Sequence, residues 1–347
     1  MSVEPVSTPL SSPITIPPGA SAFAPGAAAR RLRALAWPVA AGAGILAPLA
    51  FGDYGLHLAV SGGILAIGGM SLTVLTGTAG LLSLGQAAFM AVGAFTAALL
   101  ATQLGLGLLP ALAAAALLGL LLGGLLALLT LRVSGLYLAV ATFGFHYVVE
   151  IVASDIEIKV TNATGFLLDP PVVLGVVVNS QARWWALVLA ALALVWAALS
   201  FLRRSHVGRA WTFLREDPSA ATVFGISQVR ARAAVFTLTS AITAAAGVLS
   251  AYHLGNVQAG SYSIHMAVAF LTIVALGGPG SLRGALIASY VVLLLPVAID
   301  GTLRALSIPA AAHVAGLENI ALGTILAASL LKAPSRVLSW LRKEGGR

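Results

Sequence analysis

The run GLLPALAAAALLGLLLGGLLALLTLR, residues 107–132, decides the architecture. Between Gly107 and Thr130 it holds no charged side chain, and the first to appear is Arg132. A bilayer core about 30 Å thick is crossed by roughly 20 apolar residues in a helix, so this run reaches from one face to the other. Its surroundings are of the same kind. Of the 347 residues, 59% are hydrophobic and only 9% charged, with a mean hydropathy of +0.99. Soluble domains carry about 25% charged residues. Membrane barrels would show short segments of alternating polarity, which are absent from the sequence. The expectation is a polytopic, all-α integral membrane protein.

With Gly and Pro read as punctuation, ten spans are expected, at about 34–51, 57–76, 84–103, 107–130, 134–152, 184–202, 233–254, 263–278, 284–300 and 315–331. The eighth is short and runs into GGPGS. An even number returns both ends of the chain to one side. Sixteen of the 19 bases sort to that side; only Lys159, Arg183 and Arg304 fall opposite, together with seven of the 11 acids. Basic residues collect on the cytoplasmic face, so both termini are expected there. That sorting also accounts for the net charge of +8 without nucleic acid as a partner. Residues 1–33, rich in Pro, Ser, Ala and Thr, read as a disordered cytoplasmic leader. Residues 34–331 form the transmembrane domain, and 332–347 a basic cytoplasmic tail.

Between spans six and seven lies RRSHVGRAWTFLREDPSAATVFGISQVRAR, residues 203–232, with six arginines. At about 2.5–3.5 kcal/mol for each central Arg, burying it in lipid would cost on the order of 15–20 kcal/mol. It is therefore a cytoplasmic loop. Val207, Trp211 and Leu214 fall on one face of a first short helix. Asp217 before Pro218 is an N-cap followed by proline at the first helical position. Gly225 is placed to end a second short helix in a left-handed cap. Two helices with a corner result, presenting Ala220, Ala221 and Phe224. From these features alone, two uses stand side by side: contact with anionic lipid headgroups, or docking of another protein.

REDPSAATVFGIS (215–227) resembles the coupling loop of ABC importer permeases, which has a Glu-Ala-Ala core and a Gly four residues after the second Ala. Ala220, Ala221 and Gly225 match, while Ser219 stands where that motif has Glu, so an ion-pair role is not carried over to it. GLLSLGQAAFMAVGAFTAALLA (80–101), LRVSGLYLAVATFGFHYVVE (131–150) and LGGPGSLRGALIAS (276–289) resemble the permeases that import branched-chain amino acids, and more closely the longer of that system's two homologous permeases. The resemblance covers most of 57–331. It implies an ABC importer permease fold in a bacterial inner membrane, carrying Leu, Ile or Val inward. The implied partners are a second homologous permease, two cytoplasmic ATPase subunits and a periplasmic solute-binding protein. It also implies an ATPase-coupling role for Arg209, Arg215, Asp217, Ala220, Ala221, Phe224 and Gly225. Similar permeases carry urea, short amides or aromatic acids.

No G-x-x-x-x-G-K-[ST] phosphate loop occurs in the sequence, so ATP is expected to be hydrolysed by separate subunits and the chain itself to be no enzyme. The absence of cysteine excludes disulfides and thiolate chemistry, and the six scattered histidines form no metal motif; no cofactor is expected. An ion-coupled carrier, the alternative from another class, needs ionisable groups inside the membrane. The spans offer few: Glu150, His57, His146 and His253. Thr142, His146 and Glu150 recur at every fourth residue as a stripe, either facing a translocation path or forming a cluster between helices. Gln86, beside Thr73, Thr76, Thr78 and Ser83, carries the same pair of readings. Gly119 and Gly123 form a G-x-x-x-G suited to close helix packing. The external loop, 153–183, is long enough to be expected to dock a solute-binding protein.

Overall fold

The computed structural model describes residues 52–129, 136–173, 175–305 and 314–332, together with Pro48. Four helices come first: α1 (Gly52–Ala79), α2 (Gln86–Leu104), α3 (Leu108–Leu129) and α4 (Leu136–Thr161). After two-residue strands β1 (Phe166–Leu167), β2 (Val172–Val173) and β3 (Val176–Val177) comes α5 (Gln181–Arg204). Two short helices, α6 (His206–Glu216) and α7 (Pro218–Val223), lead into α8 (Gln228–Leu254). Then follow β4 (Asn256–Val257), a 3-10 turn (Ala259–Tyr262), α9 (Ile264–Gly277), α10 (Leu282–Ala305) and α11 (Val314–Lys332).

Among the described residues, eight helices are long and apolar enough to cross a membrane: α1 to α5, α8, α9 with its leading turn, and α10. They correspond to expected spans two to nine. The tenth corresponds to α11, with a shorter apolar stretch at Ile320–Ser329. The first expected span, the leader and the tail beyond Lys332 lie outside the described residues.

Four expected boundaries move by five residues or more, α1 starting at Gly52 rather than 57 and α10 running to Ala305 rather than 300. Helix α4 runs to Thr161, nine residues past the expected end at 152, and α8 starts at Gln228, five residues before 233. Hydropathy stops counting at the first charges, but hydrogen bonding does not. At 1.5 Å per residue the 26 residues of α4 span about 39 Å, so its last turns outrun the hydrocarbon. There Lys159 Nζ meets Asp155 Oδ2 at 2.6 Å, one turn apart. The arginine-rich connection is correspondingly narrower, residues 205–227, and the loop after α4 begins at 162 rather than 153.

Helix α1 is buried on nearly every side and packs against α5, α6, α8, α9 and α10. A helix apolar all round belongs in the middle. Glycines let its neighbours close in: a Cβ at Gly68 would lie 2.7 Å from the Phe270 ring of α9, and one at Gly63 would lie 2.7 Å from Val188 of α5. Another close seam runs between α2 and α8. A Cβ at Gly93 would lie 1.8 Å from the Ala244 oxygen, and one at Gly247 would lie 2.0 Å from the Met90 oxygen. Gly119 and Gly123 of α3 face Ser240 and Ala241 of α8, so the G-x-x-x-G is an internal seam.

At the end of the bundle away from the arginines, β1 pairs antiparallel with β4, Phe166 opposite Val257. The Glu157 carboxylate accepts from Ala259 N at 2.6 Å, and Tyr252 OH donates to Leu106 O at 3.1 Å. Loop 162–180 is thereby tied to the α8–α9 connection.

Gly93→Val should lower the thermal midpoint of the detergent-purified protein sharply, overpacking of this kind costing about 1–3 kcal/mol or more. Gly144→Ala, with no atom within 4 Å of the added carbon, is the control. Equal melting of the two would remove the α2–α8 seam from the core.

Candidate functional site

The arginine-rich connection is a capped elbow. Ser205 closes α5 and opens α6, its Oγ accepting from Gly208 N at 3.4 Å. Asp217 Oδ1 accepts from Ser219 N and Ala220 N, both at 3.0 Å, with Pro218 at the first turn of α7. Gly225 has φ +77°. Its N–H donates to Thr222 O at 3.0 Å, and Ile226 N donates to Ala221 O at 2.9 Å. These two bonds form the Schellman closure. The local chemistry of Asp217, Pro218 and Gly225 thus produces the corner expected of it.

The faces differ from expectation in two places. Trp211 and Leu214 are buried, but Val207 is exposed, and Gly208 takes the inward position. A Cβ at Gly208 would lie 2.4 Å from Leu202 O, so only glycine fits where α6 folds back on α5. Ala221 is 0% exposed, packed inside the corner rather than presented on it, while Ala220 is half-buried. What the elbow presents is Phe224, 76% exposed, and its neighbour Val223, 85% exposed. Arg209 is also on the surface, donating to Arg204 O at 2.9 Å and bonded to His206 Nδ1 at 2.8 Å.

Arg215 is exposed as well, but it reaches back to the bundle. Its guanidinium donates to Gly77 O in the last turn of α1, where helix carbonyls lack partners and favour a cation. Its aliphatic stem lies on Gly80. The turn between α9 and α10 meets the same spot, with Gly280 N donating to Thr73 O at 3.0 Å. A Cβ at Gly77 would fall 1.9 Å from Gly280 N. Nothing in the local pattern of either segment signals this convergence; only the glycines at 77, 278 and 280 hint that backbones meet.

Of the residues considered for a path, Gln86 sits at the start of α2 and is fully enclosed. Its amide donates to Ser71 Oγ of α1 at 2.6 Å and to Thr243 Oγ1 of α8, and the two hydroxyls bond each other at 2.7 Å. This node joins three helices. Thr142 Oγ1 accepts from Leu84 N at 2.9 Å and so supports the non-helical segment 80–85 between α1 and α2. Irregular backbone at membrane depth survives where protein surrounds it. His146 is buried, with Nε2 3.7 Å from Glu150 Oε2, beyond hydrogen-bond reach. Glu150 is the one member of the stripe with open surface, its side chain 31% exposed. Thr142 and Gln86 are thus enclosed and hydrogen-bonded between segments, whereas Glu150 is partly open.

A cavity of about 380 Å³, unforeseen in the sequence, opens between α1, α2, α8, α9, α10 and α11. Its walls are apolar, Ile64, Leu65, Met266 and Leu293 among them, with His253, His265, Ser61 and Ser250 as polar points. His253 is 9% exposed and neither ring nitrogen has a hydrogen-bond partner. It stacks on His57 at 4.7 Å and meets the edge of Trp184 at 5.3 Å. Among the described residues no cluster of His, Asp and Glu is arranged to hold a metal ion.

A sequence profile of the family described as "Branched-chain amino acid transport system / permease component" matches residues 55–331. The chain belongs to that family. The match runs from the first turn of α1 to the last of α11 and includes the elbow. Two curated relatives are 34% identical over 238 residues, covering 61% of this chain and 56% of theirs. They are the "High-affinity branched-chain amino acid transport system permease protein LivM" of Escherichia coli (strain K12) and the protein of the same name from Salmonella typhimurium (strain LT2). The chain spans about half the length of the curated relatives it matches. No solved structure matches it significantly. Family and fold agree on an all-α, multi-pass membrane protein.

In this permease-family bundle, Gln86→Leu should lower stability by about 0.6–2 kcal/mol, the range for interhelical polar bonds in membranes. Because Ser71 and Thr243 still bond each other, the melting shift should be smaller than that of Gly93→Val. No shift would mean that the node does not hold the three helices together.

Proposed function

We propose that this chain is a membrane-spanning subunit of an ATP-driven importer that carries leucine, isoleucine or valine inward. The family match over 55–331 supports the transport class and the cargo. The elbow supports the energy source. A corner too rich in arginine for lipid, rigidly capped at Asp217 and Gly225, holds Phe224 and Val223 in the open. Exposed aromatic and aliphatic side chains at the end of a capped short helix suit a protein pocket better than headgroups. That observation carries the reading.

In this scheme two cytoplasmic ATPases receive the elbows of this chain and of a second, homologous permease. A periplasmic solute-binding protein delivers cargo at the opposite face, where loop 162–180 lies. The chain sits in the bacterial inner membrane with both termini in the cytoplasm, a placement that the sorting of its arginines supports. Hydrolysis takes place in the ATPase subunits. Their closure displaces the elbows and shifts the permease pair between outward- and inward-open states, a change in which conformation is favoured.

Copurification tests the docking surface. Phe224→Asp should reduce recovery of the ATPase subunits about 10-fold or more, as loss of a buried aromatic anchor does, while the chain still inserts in the membrane. Undiminished recovery would place the ATPase contact elsewhere. In vesicles holding the whole complex, labelled leucine should accumulate only with ATP inside the ATPase compartment. Accumulation by this chain alone, driven by a proton gradient, would overturn the proposal.

A further inference from the structure

We propose that Arg215 is a positioning residue for transport: it does not touch the ATPase but fastens the elbow to the helices that wall the cavity. The inference rests on the transport reading above. Its basis is the convergence at the end of α1. Arg215 donates to Gly77 O. Gly77 lies against Gly280, whose N–H is bonded to Thr73 O at 3.0 Å. The turn on which Gly280 sits is itself clamped, since a Cβ at Gly284 would lie 1.8 Å from the Gly277 oxygen. One guanidinium therefore holds the elbow to the end of α1 and, through it, to the junction of α9 and α10.

The same three helices meet again at the cavity. Ser61, Ile64 and Leu65 of α1, Met266 and Ala269 of α9, and Val292 and Leu293 of α10 form its walls. Ser61 is 16 residues before Gly77, about 24 Å along the helix. Because α1 is enclosed on nearly every side, it does not bend on its own; it shifts with its neighbours between discrete packings, the kind of element that carries coupling over distance. The other attachments of the elbow act differently. Trp211 and Leu214 are buried apolar contacts without direction, the Trp211 indole N–H having no partner. Gln228 Nε2 donates to Pro218 O at 3.1 Å, but this links the elbow only to the helix that follows it. Arg215 is the directional bond to a helix far away in the chain.

The sequence contains no cysteine, which allows a covalent test. A Cβ at Gly80 would lie 3.8 Å from Arg215 Cβ, about the mean separation across a disulfide. Gly80 has φ +69°, so Gly80→Cys alone is the control for strain. The complete complex is reconstituted, and leucine uptake per ATP hydrolysed is measured. Arg215→Ala should keep its ATPase subunits yet lose coupling about 5-fold or more, the scale of a typical coupling energy. The Gly80→Cys/Arg215→Cys pair should be equally uncoupled when reduced, regain most of its coupling when oxidised, and lose it again with dithiothreitol. A merely structural role would leave the ratio of uptake to hydrolysis unmoved.

Wild-type coupling in Arg215→Ala, or an oxidised pair no better coupled than the reduced one, overturns the inference. Should Arg215→Ala fail to assemble, the pair oxidised before extraction carries the comparison by itself. Absence of ATP-dependent leucine uptake in the unmodified complex overturns the transport reading, and the inference with it.

Discussion

The structure depends on backbone meeting backbone between α2 and α8. Lipid tails are as apolar as leucine, so burying leucine between helices gains little there, and association relies on close van der Waals contact and on polar bonds. Gly93 against Ala244 and Gly247 against Met90 bring the two helices as near as main chains allow. That distance places the Gln86 amide within reach of Ser71 and Thr243. It also seats α3, through Gly119 and Gly123, on α8 beside α2. A side chain at 93 would separate all of these at once.

The polar groups inside the bundle divide by what they touch. Gln86 and Thr142 are occupied with backbone and hydroxyl partners and hold together the broken connection between α1 and α2. Isolated polar groups in hydrocarbon are costly, and satisfying them internally makes the interhelical contacts specific. His253 and His146 are among the exceptions, enclosed yet with ring nitrogens that have no hydrogen-bond partner. The first borders the cavity, and the second lies one turn from the partly open carboxylate of Glu150.

Much of the fold was legible because its signals are local. Charge-free runs of about 20 residues marked the spans, and Asp217, Pro218 and Gly225 marked the corner because capping and left-handed closure are set by neighbouring residues. What escaped is set by distance. Helical periodicity named Val207 for the inner face of α6, but the fold-back on α5 leaves room only for Gly208. Ala221 read as a small presented residue because smallness suits both an outer docking surface and an inner corner, and only the three-dimensional turn distinguishes them. The length of α4 was missed because helical hydrogen bonds continue past the charges at which an apolar count stops. Arg215 read, like Arg209, as an ATPase-coupling residue, and its contact with Gly77 joins positions 138 residues apart.

Helix α8 has a consequence of its own. It is a single rod of 27 residues, about 40 Å long. One end is held to the elbow at Pro218, and the other passes through Gly255 into the strand that pairs with Phe166 and Leu167. Such a rod behaves as a torsion bar: a twist applied at the arginine-rich end cannot dissipate in a flexible joint and emerges as a re-aiming of the little ladder at the other. The two faces of the membrane are thus in register with each other through one piece of main chain.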